Sequence, residues 1–156
     1  MGIFLGLALP VVIAILIHGL TRVYLDPAIE TRHVIGEIDF SLFFYANIYM
    51  NPGKGERKEL PERLGRMDEA SNELRRLSCQ LRARAHSVPL YTPAMFLCRL
   101  PKKDNVEEAS KELVFLANSI SQGDRHENDK ARKRIQELLC LKDWQGDRYR
   151  PEHGRG

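Results

Sequence analysis

The side chains best suited to chemistry in this sequence are two groups of cations. Arg75, Arg76, Arg82 and Arg84 crowd the second half of one stretch of helical periodicity, and Lys130, Arg132, Lys133 and Arg134 crowd the first half of another. Guanidinium and ammonium groups at this density suit phosphate, as carried by an anionic lipid headgroup or a nucleic acid. The two groups differ in what else explains them. The four arginines follow Glu62, Asp68, Glu69 and Glu73 along one helix, so the charge order complements the helix macrodipole. At about 100° per residue Arg75 and Arg82 align while Arg76 and Arg84 point elsewhere, the scatter of a solvated face. The second group opposes its dipole, which points to an acidic partner such as a membrane surface. Phe115 is a further candidate contact, because it falls opposite the inner face of its helix, near Lys111, Asn118 and Ser119.

Catalysis needs groups that converge, and no spacing here announces them. There is no His-Glu-x-x-His, no Gly-x-Ser-x-Gly and no glycine-rich phosphate loop. The Gly53-Lys54-Gly55 run lacks the Ser or Thr that must follow the lysine to hold a metal-bound nucleotide. His33, His86, His126 and His153 are scattered over expected surface positions. Cys79, Cys98 and Cys140 are odd in number and far apart, with no Cys-x-x-Cys, so neither a disulfide framework nor a zinc site is expected. Cys98 or Cys140 would serve as a nucleophile only if folding set a base beside it. The expectation is a protein that is not an enzyme, with no catalytic residue, no metal and no cofactor.

These groups need a frame, and the frame begins with a membrane span. Residues 1–20 contain no Lys, Arg, Asp or Glu, and His18 is their one ionisable side chain. About 20 residues at roughly 1.5 Å rise cover the 30 Å or so of a bilayer's hydrocarbon core. A cleaved secretory signal is the competing reading. It would carry a basic start and a small-x-small cleavage site, and the sequence has neither. Arg22 and Arg32 follow the run and no basic side chain precedes it. The positive-inside rule then puts the amino terminus outside and everything from Arg22 in the cytoplasm, where reduced cysteines also belong. Pro10 reads as a kink, His18 as an interfacial group, and Gly2 with Gly6 as a weak Gly-x-x-x-Gly for a homodimer.

All 24 Lys and Arg and all 21 Asp and Glu lie beyond residue 20, in a length that suits one small domain. Asp26-Pro27 is expected to start a helix after a short link. Ile35, Ile38, Leu42, Tyr45 and Tyr49 recur at helical spacing up to about Met50, although Ile38, Phe40, Leu42 and Phe44 also alternate as a strand would. With Phe40, Phe43 and Phe44 on its other sides, this element is expected to be central and buried. Residues 61–86 form the clearest helix, with Leu64, Met67, Ala70, Leu74, Leu77, Leu81 and Ala85 on one face. Pro89, Pro93 and Pro101 limit the next apolar stretch to a short helix from Thr92-Pro93 to about Arg99. That stretch is expected to cover the core, with a partner groove or the bilayer surface as alternatives. Asp104 or Asn105 should cap a helix running to about Ser121 with Val106, Ala109, Leu113, Leu116, Ala117 and Ile120 inside. A last helix, residues 129–142, turns Ala131, Ile135, Leu138 and Leu139 inward, and the Gly-, Pro- and charge-rich tail is expected to be disordered.

The sequence thus predicts an all-α protein: a transmembrane anchor at 1–21, a cytoplasmic bundle of about four to five helices at 22–143, and a tail at 144–156. The expected role is a non-catalytic interaction or regulatory module at the cytoplasmic membrane surface with another protein as partner. Binding of anionic lipid or nucleic acid through the basic faces is the alternative, and an enzyme without a recognisable motif is a third.

Overall fold

In the computed structural model the described residues are Pro10 and residues 12–15, 17–19, 21–51, 60–120 and 124–141. Among them every regular element is helical and there is no strand. The Gly2 and Gly6 pair, Lys54 with most of its loop, and the tail lie outside the described residues.

The chain leaves its apolar segment still in a helix. Thr21–Leu25 wind as a π-helical turn and Asp26–Phe44 continue as α1. The expected link and fresh start at Asp26 are therefore absent, and Leu25 before it is itself helical (φ −84°, ψ −42°). Pro27 has no N–H for the carbonyl four residues back. That residue, Val23, falls inside the wider π turn. The helix Val12–Phe44 is long and apolar enough to cross a membrane, and 6% of its apolar window is buried within the protein. The core helix of a soluble domain would bury most of it.

Ile35, Ile38 and Leu42 turn inward, which decides residues 35–50 for helix over strand. The run is not continuous to Met50, however. It kinks at Tyr45 (φ −90°, ψ 9°) before a single turn, α2 (Ala46–Tyr49). The kink lets the buried Tyr49 hydroxyl reach back and donate to the Leu42 carbonyl, an acceptor of the last helical turn. Burial on all sides does not hold either. Phe40, Phe43 and Phe44 are 65%, 52% and 62% exposed, because α1 packs by one side on α3 (Leu60–Ser87) and on α4 (Tyr91–Cys98).

Helix α3 is central, with α1 on one flank and α5 (Lys103–Ser119) on the other, and α6 (Arg125–Leu138) closes over α5. Leu74, Leu77 and Leu81 of α3 and Leu113 and Leu116 of α5 are fully buried in one core, each contributing about 1.5–3 kcal/mol by leaving water. Leu64, expected on this face, stays 50% exposed near the start of α3. Serines set the α3–α5 register. Ser78 Oγ donates to the Ser110 carbonyl (2.8 Å), Ser110 Oγ to the Ser78 carbonyl (3.1 Å), and Ser71 Oγ to the Ala117 carbonyl (2.9 Å). Seven residues separate the bonded positions on each helix, so the pair is antiparallel with a heptad seam. Such bonds need backbones close enough for a side chain of serine size to span them.

Two starts shift from expectation. Helix α5 begins at Lys103, just after Pro101, with Lys102 in the cap position and no side-chain capping bond. Helix α6 begins at Arg125, a turn early, after the extended Asp124. The early start carries Asn128 inward, where its side chain accepts from Ser119 Oγ (2.6 Å) and donates to the Tyr49 carbonyl (2.7 Å). One amide thereby ties α2, α5 and α6 together.

Urea unfolding in detergent, followed by circular dichroism, checks this packing. Leu113→Ala should cost about 2–5 kcal/mol through the cavity it leaves, and Ser78→Leu about 1–3 kcal/mol by forcing α3 and α5 apart. Leu64→Ala should stay within about 0.5 kcal/mol; a loss as large as that of Leu113→Ala would contradict the packing described.

Candidate functional site

The arginines of α3 are mostly engaged within the fold. Arg76 grips Glu73 with two bonds (2.8 and 2.7 Å), reaches Gln80 (2.9 Å), and touches Glu37 of α1 at 3.4 Å. Arg84 pairs with Glu30 of α1, and Arg75 on the other flank donates to Asn118 Oδ1 of α5 (2.8 Å). Arg82 is exposed, and no hydrogen bond or ion pair ties it among the described residues. The four therefore divide between both flanks of α3 and form no single anion-binding face. The Arg76 hydrogen bonds hold the Glu73 carboxyl below the usual range, against the opposing pull of burial.

On α6 the basic group also separates. Arg132, expected to face a partner, is 1% exposed. It points inward to Asp129 Oδ1 (3.2 and 2.9 Å) and Gln136 Oε1 (2.8 Å). An acid three residues before it and an amide four residues after it lie on its own side of the helix, and that spacing was the available signal. Lys133 pairs with Asp129 Oδ2 at 2.7 Å and Arg134 with Glu137 at 3.7 Å. Burial is the largest influence on Asp129 and raises it, but the bonds from Lys133 and Arg132 prevail and hold its carboxyl below the usual range. Burial drives the Tyr49 hydroxyl well above the ordinary tyrosine value, so it acts as a neutral donor.

The fold does bring Phe115 to Lys130, Lys133 and Arg134. Together they line an open groove of about 870 Å³ between α5 and α6, with Phe115 47% exposed. Lys111 joins them, and Glu112, Glu127, Asp129 and Glu137 line the same groove. Four cations face four carboxylates, so the groove carries no surplus of positive charge to draw in an anion.

A second surface was not picked out by its charges. Along α1, Ile29, Arg32, His33, Gly36, Glu37 and Phe40 line a shallow groove of about 500 Å³. A Cβ at Gly36 would meet nothing within 4 Å, so the missing side chain leaves a notch one turn from Phe40. The Phe40 and Phe44 rings stack with centroids 5.7 Å apart, and Phe44 meets Tyr45 edge-on at 5.0 Å. The spacing 29, 33, 36, 40 alternates four and three, the period of a helix-pairing seam. That signal was present in the sequence but lay beside the buried face, one step round the same helix.

Among the described residues no three His, Cys, Asp or Glu side chains are grouped to hold a metal. His86 lies 3.8 Å from Glu107, Cys79 and Cys140 are exposed, and Cys98 is half-buried. Comparison with protein-family models, curated proteins and solved structures finds no match to this chain. Its architecture defines it: among the described residues it is all-helical, with one helix near the amino terminus long and apolar enough to cross a membrane.

The Asp129 cluster has a pH signature. A carboxyl held low in the folded state contributes stability that is full above its unfolded value and is lost as pH falls through the folded one. Unfolding free energy measured from pH 6 downward should therefore decline less in Asp129→Asn than in the parent, and parallel curves would remove Asp129 as a contributor.

Proposed function

We propose that the protein is a single-pass, membrane-anchored helical interaction module. Its amino terminus lies outside, its bundle lies in the cytoplasm, and it acts by binding another protein without catalysis. The orientation rests on Arg22 and Arg32 following the apolar run. The non-catalytic reading rests on the absence of any catalytic spacing in the sequence. The observation that carries the interaction reading is the exposed face of Ile29, Gly36, Phe40 and Phe44, on the same helix that continues from the apolar segment. Large apolar side chains kept in water at a pairing period mark a contact surface. An alternating four-three seam with a glycine notch suits one occupant, an apolar helical face of a partner protein. A large side chain of that helix would fill the space over Gly36.

The basic faces lend less support to lipid or nucleic acid as the main ligand, since the α3 arginines are paired across the bundle and the α5–α6 groove is charge-balanced. Photo-crosslinking residues placed in turn at 29, 33, 40, 82 and 115 in intact membranes separate these readings. Adducts to one and the same protein from 29, 33 and 40, and their loss in Phe44→Asp, are expected; binding that depends on a few central aromatics should fall at least about tenfold. Adducts centred on 82 or 115, or none from α1, would refute this surface. Oligonucleotide binding that falls steeply with salt would instead favour the anion reading.

A further inference from the structure

The most exposed large apolar side chains described are neither on α1 nor in the α5–α6 groove. They belong to α4 and the residue before it: Phe96 at 75%, Leu97 at 72% and Leu90 at 67%. Three observations give this outer face its neighbour. First, α4 packs against the π turn Thr21–Leu25, the first residues after the apolar run. Five residues of helix rise only about 7 Å, so the face stands at the level where the chain leaves the hydrocarbon. Second, α4 is fixed in place. Arg32 Nη1 donates to the carbonyls of Cys98 (2.8 Å) and Arg99 (3.1 Å), capping its end, and Ala94 and Leu100 are buried on its inner side. Leu90 and Arg99 hold left-handed backbone at its two ends (φ 48° and 52°), a conformation that costs a non-glycine residue about 1–3 kcal/mol and is sustained here by the surrounding packing. Third, residues 88–103 contain Arg99, Lys102 and Lys103, all exposed, and no acidic residue. Cations beside exposed apolar side chains match an anionic headgroup layer over hydrocarbon.

We infer that α4 is an interfacial foot: Phe96 and Leu97 insert into the lipid on the bundle's side of the membrane, while Arg99, Lys102 and Lys103 engage anionic headgroups. This rests on the membrane-span reading. The foot then seats the bundle upright and gives the anchor a second, lipid-sensitive contact, distinct from the protein-facing surface of α1.

The full chain is reconstituted into phosphatidylcholine vesicles with and without phosphatidylserine, in a Trp144→Phe background. Phe96→Trp reports α4 and Phe115→Trp serves as control. Lipids brominated near the headgroup end of the acyl chain should quench Phe96→Trp fluorescence at least about twofold more than Phe115→Trp, at the depth typical of an interfacial helix. The quenching should weaken when Lys102 and Lys103 are changed to Gln in serine-containing vesicles. Alkaline carbonate separates the failures. A chain that resists extraction with an unquenched Phe96→Trp overturns the foot and leaves the anchor standing, as a protein occupant of this face would also do. A chain that carbonate removes overturns both.

Discussion

The rest of the structure depends on a helix that does not stop. Between Val12 and Phe44 the backbone stays helical, and the one irregularity, the π turn at Thr21–Leu25, widens the winding without releasing it. A flexible link would leave a bundle free to tumble beside its anchor. Here α3 and α4 pack directly against one rigid rod, and α5 and α6 are placed relative to it through α3. From Thr21 to Phe40 that rod rises about 28 Å. The fold therefore has a near level, where α4 meets the π turn, and a far level, where Phe40 and Phe44 face outward. Their separation does not depend on loop conformation.

The long amphipathic elements were legible in the sequence because one pattern with one period decides them. Helices α3 and α5 each carry an apolar face at a single spacing, and every residue expected inside α5 is buried. Helix α1 resisted because its apolar residues cover two functions. Ile35, Ile38 and Leu42 face the core while Phe40 and Phe44 face water, and composition alone reads such an element as buried all round. Arg132 resisted for the opposite reason. An arginine among lysines reads as solvated unless the acid three residues before it and the amide four residues after it are weighed as its partners, and burial of that side of α6 is what draws all three inward. The knot of Asn128, Ser119 and Tyr49 joins residues as far as 79 positions apart in the chain, a proximity that no local period encodes.

The charges have a common use that the small net charge of +3 conceals. Arg76 with Glu37, Arg84 with Glu30, and Arg75 with Asn118 cross between helices, so each flank of α3 carries polar clamps outside its apolar seam. Exposed pairs of this sort are individually worth about 0–1 kcal/mol, too little to hold the bundle. Their effect is on choice of neighbour and register, since a slip of α1 or α5 along α3 would separate several partners at once. The buried leucines supply the stability, and the serine bonds and ion pairs select which antiparallel arrangement receives it.

Geometry also narrows what can lie on α1. The groove past Ile29, Gly36 and Phe40 follows the helix axis, and that axis continues into the apolar segment, which is long enough to cross a membrane. A partner helix arriving from solution would have to find this orientation freely, at the full cost of lost rotational and translational freedom. A partner helix that itself emerges from the bilayer alongside would already share the direction and be confined to the same plane. Its effective concentration would be raised by membrane confinement, as linkage raises it for tethered domains. A groove this shallow would need such confinement to hold the proposed partner. If the apolar segment spans a bilayer as proposed, a rigid helix presenting its seam along the axis would favour neighbours that cross the membrane beside it.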